Sequence, residues 1–538
     1  MVTLRAALGV AAAALSSGAI ALADGTGPAE TDTLAPGRML YMEGKREGGV
    51  PLAAKRAGGP TISGAEAACV NCHRRSGFGG SEGRTYIPPV NAASLFEAKL
   101  PGTGASASGT GRPAYADDAL ARAIRGGIDP SGRRLDYLMP HYELTDAEMK
   151  SLIAYLRQLS TLASPGVEAR AVDFATVVAP GMEPGHSKAM LDVLNACFDE
   201  HNAGAPPARG RKRLGPGVKL SEQRKWNLHV WELKGKPETW AAQLAGYARQ
   251  KPVFAMVGGL GGGTWAPVHE FCERDGLPCL FPRVEVPVTG ETGFYSLYLS
   301  RGILLEAAIV ARHLAEQAPG VKRAIQVLRD GDEAARAGVQ ALRRTLAAGV
   351  IETEERRIVA AGPLDARTLD MASSDALVLW LRADDLKSLQ GVEPVAGPVY
   401  LSAILGGQEH APLPAAWKAR ALMAYPYELP QNREARMLQL HVWLLARGLS
   451  PVHETVQGDA YIACSALRAG MNEVADHLHR DYLVERLEVI MGRGGFTGHY
   501  PNLSFGAGQR FSSKSGYLVR FADPQSGRIA SVGERMAP

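Results

Sequence analysis

At 538 residues, 46% hydrophobic and 21% charged, the chain is too long for one ordinary domain and too apolar to remain unfolded. Its formal net charge of +4 is small for that length and gives no basis for general binding to nucleic acid.

The N-terminus has the order of a signal peptide over residues 1–23. Arg5 supplies the positive charge, Ala6 to Ala23 is an Ala-rich apolar run, and Ala21-Leu22-Ala23 is an A-x-A site with cleavage expected before Asp24. The run is short and weakly apolar for a stable membrane anchor, and no later stretch is long and apolar enough to span a bilayer. No Cys follows the cleavage site to take a lipid. The expectation is a soluble, exported protein of a bacterial periplasm, where disulfides persist.

Residues 35–160 form the first expected domain. A short helix is expected near Gly37–Gly44. Cys69-Val-Asn-Cys72-His73 then gives a C-x-x-C-H motif, whose two thiols and adjacent imidazole suit covalent attachment of one haem c and proximal ligation of its iron. A structural disulfide or a partial zinc site is the plainer alternative for the same residues. A loop follows through Arg84, Tyr86, Pro88 and Pro89. Asp117–Arg125 has helical periodicity behind an acidic start. Leu138-Met139-Pro140-His141-Tyr142 reads as a loop. Thr145-Asp-Ala-Glu148 is a capping-box sequence, and Met149, Leu152, Ile153, Leu156 and Leu159 continue it with helical spacing.

With the haem motif, the Met139-Pro140 loop and a last helix carrying Ala154-Tyr-Leu-Arg157, this segment resembles the class I c-type cytochromes. The resemblance implies an all-α domain with Met139 as the distal iron ligand, and His141 is the rival two residues on. It implies that a carbonyl at Pro88 or Pro89 fixes the His73 ring, and it makes Arg84 and Tyr86 candidates for the haem propionates. A six-coordinate iron has no open position, which points to electron transfer rather than an enzyme. A peroxidase-type enzyme is the alternative if Met139 is displaced. The segment carries more Lys and Arg than Asp and Glu, and Arg74 and Arg75 adjoin the motif. A basic rim of that kind would steer an acidic redox partner.

Ser160–Gly166 is rich in breakers and marks a boundary, with residues 161–167 as linker and 168–538 as the second domain. Strands are expected at 174–178, 226–231, 253–257, 280–281, 324–328, 376–380 and 399–402. Helices are expected at 187–198, 240–249, 265–274, 302–316, 332–348, 383–390, 432–447, 457–470 and 473–491. This alternation indicates doubly wound parallel sheets in two α/β lobes. Cys272 and Cys279 flank a helix end and a strand start, a spacing that permits a disulfide, whereas Cys197 and Cys464 fall in amphipathic helix patterns and read as buried thiols.

The Met256-Val-Gly-Gly259 strand and loop, the Gly276-Leu-Pro278 turn before Leu280-Phe-Pro282, and the endings Phe505–Arg510 and Gly516–Arg520 resemble type I periplasmic binding proteins of the branched-chain amino-acid and amide-binding kind. That resemblance implies two lobes closing on a small ligand such as an amino acid, amide or carboxylate. The glycine loop through Gly262, Gly263 and Thr264, together with Arg283 and Glu285, occupies the ligand positions. The residues there depart from the family pattern, which favours a docking or structural module over a retained solute site. The combined expectation is a periplasmic electron carrier. Its partner would be a dehydrogenase such as a quinoprotein, another cytochrome or a terminal oxidase. A ligand-sensing receptor whose lobes modulate the haem domain is the main alternative.

Overall fold

The computed structural model describes residues 34–538, apart from 57, 100–110, 184, 205–223, 289–292, 319, 360–363, 365 and 507. The expected signal peptide lies outside the described residues. The chain divides into two compact units: one runs to His73 and again from Gly79 to Leu159, and the other holds Arg74–Phe78 and Ser160–Pro538.

The first unit contains α1 (Ala35–Glu43), β1 (Ala53–Lys55), β2 (Thr61–Ser63), α2 (Val70–His73), β3 (Gly80–Glu82), β4 (Thr85–Ile87), α3 (Ala92–Phe96), α4 (Asp117–Gly126), β5 (His141–Tyr142) and α5 (Asp146–Gln158). Its core is helical, and two small antiparallel additions supplement the expected all-α frame: a β2-β1-β5 sheet and a β3-β4 hairpin. The capping box forms at the start of α5. The Thr145 hydroxyl accepts from the Glu148 N–H, and the Glu148 carboxylate accepts from the Thr145 N–H at 2.8 Å. From there Met149, Leu152, Ile153 and Leu156 are buried against Leu40, Tyr41, Leu120 and Ile124. The first and last helices cross closely at Gly37. A Cβ there would lie 2.8 Å from the Tyr155 Cβ and would collide with the Ser151 carbonyl, so a glycine is what lets α1 seat on α5.

The second unit opens with β6 (Ala171–Val178), α6 (His186–Asn202), β7 (Lys225–Glu232), α7 (Trp240–Gln250), β8 (Ala255–Val257), β9 (Leu260–Thr264), α8 (Ala266–Arg274), β10 (Cys279–Leu280), β11 (Arg283–Val286) and β12 (Ser296–Ser300). It continues with α9 (Ile303–Gln317), β13 (Arg323–Arg329), α10 (Glu333–Leu346), β14 (Glu352–Ile358), β15 (Asp375–Trp380), α11 (Ala383–Lys387), β16 (Val399–Ser402), α12 (Ala403–Gly406), α13 (Ala415–Lys418) and β17 (Ala421–Tyr425). The closing elements are α14 (Pro430–Leu445), α15 (Glu454–Glu473), α16 (Arg480–Gly492), β18 (Phe511–Ser513), β19 (Tyr517–Asp523) and β20 (Arg528–Ser531).

These strands form two sheets, one per lobe. The first has eight strands in the order β11-β9-β6-β8-β10-β12-β18, with β7 also paired to β6, and every pairing is parallel. The second runs β14-β13-β15-β16-β17-β19-β20, parallel through β17 and antiparallel beyond it. Strands covered on both faces read as continuous apolar runs, and β15 (Asp-Ala-Leu-Val-Leu-Trp) is buried at each position. The chain passes to the second sheet after β12, returns before β18 and crosses again before β19, so several strands of backbone join the lobes.

Further features also differ from expectation. Gly261–Thr264 is strand rather than loop, because β9 lies between β6 and β11 in the sheet. Cys197 and Cys464 are not free thiols but a disulfide, with Cα atoms 6.7 Å apart. The reason is tertiary: α6 and α15 pack side by side and bring two buried positions within bonding range. Cys272 and Cys279 form a second disulfide with a Cα separation of 6.2 Å.

Candidate functional site

Cys69 immediately precedes α2, and Cys72 and His73 complete that single turn, with the His73 N–H donating to the Cys69 carbonyl at 2.9 Å. One helical turn therefore carries both thiols and the imidazole. Cys69 and Cys72 are not bonded to each other. Burial pushes the Cys69 thiol up to about 12. Among the described residues, no group of three or more His, Cys, Asp or Glu is arranged to hold a metal ion.

The His73 ring is buried, with its Nδ1 3.0 Å from the Pro88 carbonyl oxygen. A carbonyl only accepts, so Nδ1 carries the proton and Nε2 is left with its lone pair exposed for coordination. Burial also lowers the affinity of the ring for a second proton. Gly79 makes this contact possible: at its φ of 68° the backbone approaches Ile87 and Pro88 so closely that a Cβ would stand 2.8 Å from the Pro88 oxygen.

Met139 sits in a turn closed by its own N–H to the Asp136 carbonyl at 3.0 Å, and its side chain packs on the same core cluster as Cys69 and Val70. His141 belongs to β5, in register with Lys55, and its Nε2 presses on the αL cap of α4, where a Cβ at Gly127 would collide with it. Two thiols outside any disulfide, the imidazole with an available Nε2, and a half-buried thioether on the same core cluster are a donor set that fits a covalently attached haem. Arg84 and Tyr86 lie on the β3-β4 hairpin, where both are exposed, with Tyr86 opposite Ser81.

The second unit brings Gly262, Gly263, Thr264, Arg283 and Glu285 together along the paired strands β9 and β11. The side chains of Thr264, Arg283 and Glu285, and the Thr264 N–H, each meet a partner from within the chain. The Thr264 N–H donates to Glu333 Oε2 at 3.0 Å, and the Thr264 hydroxyl accepts from the Ala266 N–H. Arg283 Nη1 donates to Asp459 Oδ2 at 2.7 Å. Glu285 accepts a bidentate pair of bonds from Arg382, each 2.8 Å, and Arg382 Nε donates at 2.8 Å to Asp332. Burial alone would raise the Asp459 carboxyl, but His499 and Arg283 outweigh it and hold the group below the usual carboxylate range. Arg382 likewise overcomes its burial through Glu285 and Asp332 and stays firmly charged.

Asp332, Glu333, Arg382, Asp459 and His499 were not expected at this site. The Asp332-Glu333 pair at the start of α10, directly after a strand, was the one local signal; Asp332 accepts from the Ala335 N–H as the helix cap. Arg382, Asp459 and His499 reach the cleft through tertiary packing, which leaves no trace in their neighbours in sequence.

Residues 58–160 match the family model for cytochrome c. Among curated proteins none matches the chain. Among solved structures, the chain is similar to a branched-chain amino acid ABC transporter protein from Thermus thermophilus with bound valine: 12% identity, TM-score 0.48, covering 69% of this chain and 97% of that one. It is also similar to a leucine-binding protein from Thermotoga maritima (12% identity, TM-score 0.47, 68% and 99% covered). A fatty acid ABC transporter substrate-binding protein from Thermomonospora curvata gives 14% identity and a TM-score of 0.47, with 70% and 95% covered.

Proposed function

With a cytochrome c domain at residues 58–160, we propose that the chain is a periplasmic electron carrier with one covalent haem, joined to a two-lobed binding-protein-like module that serves docking or structure. The observation that carries the proposal is the His73 Nδ1 contact to the Pro88 carbonyl at 3.0 Å beside two unbonded thiols. That contact fixes the ring tautomer and orientation before any iron is present. Cys69 and Cys72 would hold the haem by thioether bonds, and His73 and Met139 would ligate its iron. When bound, the group supplies one-electron exchange. Met139 is favoured over His141 because its side chain packs against the same core cluster as Cys69 and Val70, while the His141 Nε2 is turned onto Gly127. Arg84 and Tyr86 remain candidates for the propionates, and one C-x-x-C-H motif in the sequence supports one haem.

The periplasmic placement is supported by two disulfides, which persist in an oxidising compartment, and no helix among the described residues is long and apolar enough to cross a membrane. The partner would be a periplasmic dehydrogenase, cytochrome or oxidase. A docking module is favoured over a solute receptor because the cleft positions are satisfied by the protein's own carboxylates. Carbon monoxide separates carrier from peroxidase-type enzyme. The reduced protein is expected to leave its spectrum unchanged under carbon monoxide and to titrate as a reversible one-electron couple. Rapid formation of a carbon monoxide adduct would contradict the closed site.

A further inference from the structure

The polar groups of the second unit's cleft alternate in sign from one lobe to the other. On the first lobe, β9 ends in the Thr264 N–H and β11 carries Glu285. On the second, α10 begins with Glu333, Asp332 caps that helix, and Arg382 directly precedes α11 beyond the end of β15. Two ties cross between them: Glu333 Oε2 to the Thr264 N–H at 3.0 Å, and the bidentate Glu285–Arg382 pair at 2.8 Å per bond. Asp332 holds Arg382 along its Nε edge, beside the Nη1 and Nη2 that meet Glu285, so the guanidinium is fixed in direction. Gly263 gives Glu333 its space, since a Cβ there would stand 2.6 Å from the Glu333 oxygen. The groups that could receive a ligand's carboxylate are thus already bonded to carboxylates of the chain.

We infer that Glu333 and Glu285 act as built-in anionic ligands that latch the two lobes shut, so that closure needs no solute. This rests on the docking-module reading of the second unit and is independent of how the haem iron is ligated. Glu285 is 21% exposed and Arg382 43% exposed, which keeps the tie accessible to competition and to salt.

The test is a distance measurement on the full-length holoprotein, spin-labelled at Lys236→Cys and Lys387→Cys. Lys236 follows β7 on the first lobe, and Lys387 lies on α11 of the second; both side chains are exposed. Labels per chain report separately on the haem: two if Cys69 and Cys72 carry it, more if they are free. The expected result is one short distance that excess leucine, valine or glutamate leaves unchanged. Glu285→Gln with Glu333→Gln, two substitutions that preserve volume, should shift the distribution to longer distances, and Arg382→Gln should do the same. A short distance retained in both variants, or a wild type that is open and closes on adding an amino acid, would overturn the latch.

Discussion

Cys69→Ala with Cys72→Ala is expected to abolish covalent haem completely, so that haem staining after denaturing electrophoresis falls to background while the chain is still made. Each thioether needs one thiol, and these are the two cysteines outside disulfides among the described residues, the other four being paired. His73→Ala is expected to act differently, because both thiols survive. It removes the buried ring that Pro88 orients, and the attached group should then show an altered, ligand-accessible iron. Haem that stays covalently bound in the double cysteine variant would mean that the attachment site has been misplaced. A third variant, Pro88→Ala, keeps the carbonyl and should leave attachment intact, which separates loss of the donor from a general loss of folding.

The second large effect concerns the disulfide between Cys197 and Cys464. The bridge spans 267 residues and ties α6 to α15, whereas Cys272–Cys279 spans 7. A cross-link stabilises mainly by restricting the unfolded chain, and the restriction grows with the logarithm of the loop it closes. On loop-closure entropy alone the long bridge should contribute about 3 kcal/mol more than the short one. Cys197→Ala with Cys464→Ala is therefore expected to lower the stability of the second unit well beyond what Cys272→Ala with Cys279→Ala does, measured as denaturant midpoints on otherwise identical proteins. Equal losses from the two pairs would show that chain entropy does not govern their contribution. Cys197 and Cys464 are buried among Val193, Leu194 and Leu467, so alanine also leaves small apolar voids, and the measured difference includes that cost.

What the sequence disclosed and what it hid follow a physical division. Signals written within one element were legible. The capping box at Thr145–Glu148, the periodic apolar face of α5 and the apolar run of β15 each depend on residues a few positions apart, and each forms as expected. The C-x-x-C-H turn is equally local. The strand β9 was hidden because Leu-Gly-Gly-Gly-Thr has almost no strand propensity. Its glycines are there for space: a Cβ on Gly261 would lie 2.6 Å from the Trp265 ring, and one on Gly263 would meet Glu333. The strand β14, Glu-Thr-Glu-Glu-Arg-Arg-Ile, was hidden for the opposite reason. It is an edge strand whose charges blunt the open edge and mask the usual alternation. The Cys197–Cys464 bridge and the partners of Arg283 and Glu285 lie hundreds or scores of residues away in sequence. No local pattern encodes such a meeting; helix and sheet packing does.

The ligand positions show the same division. The sequence placed Thr264, Arg283 and Glu285 in loops at the ligand positions, where the structure has adjoining strands, and it offered Arg283 either a ligand carboxylate or a role in filling the cleft. The structure pairs Arg283 with Asp459, a residue on α15 that its neighbours in sequence mark only as part of a helix.

The central claim is a closed electron-transfer haem with His73 and Met139 on the iron. Its most direct test is the absorption spectrum of the purified holoprotein, oxidised and reduced, compared between wild type, Met139→Ala and His141→Ala. The account predicts a low-spin haem with a methionine-to-iron charge-transfer band in the wild type, retained in His141→Ala and lost in Met139→Ala. A high-spin wild-type spectrum, or a band that survives Met139→Ala and vanishes in His141→Ala, would contradict it.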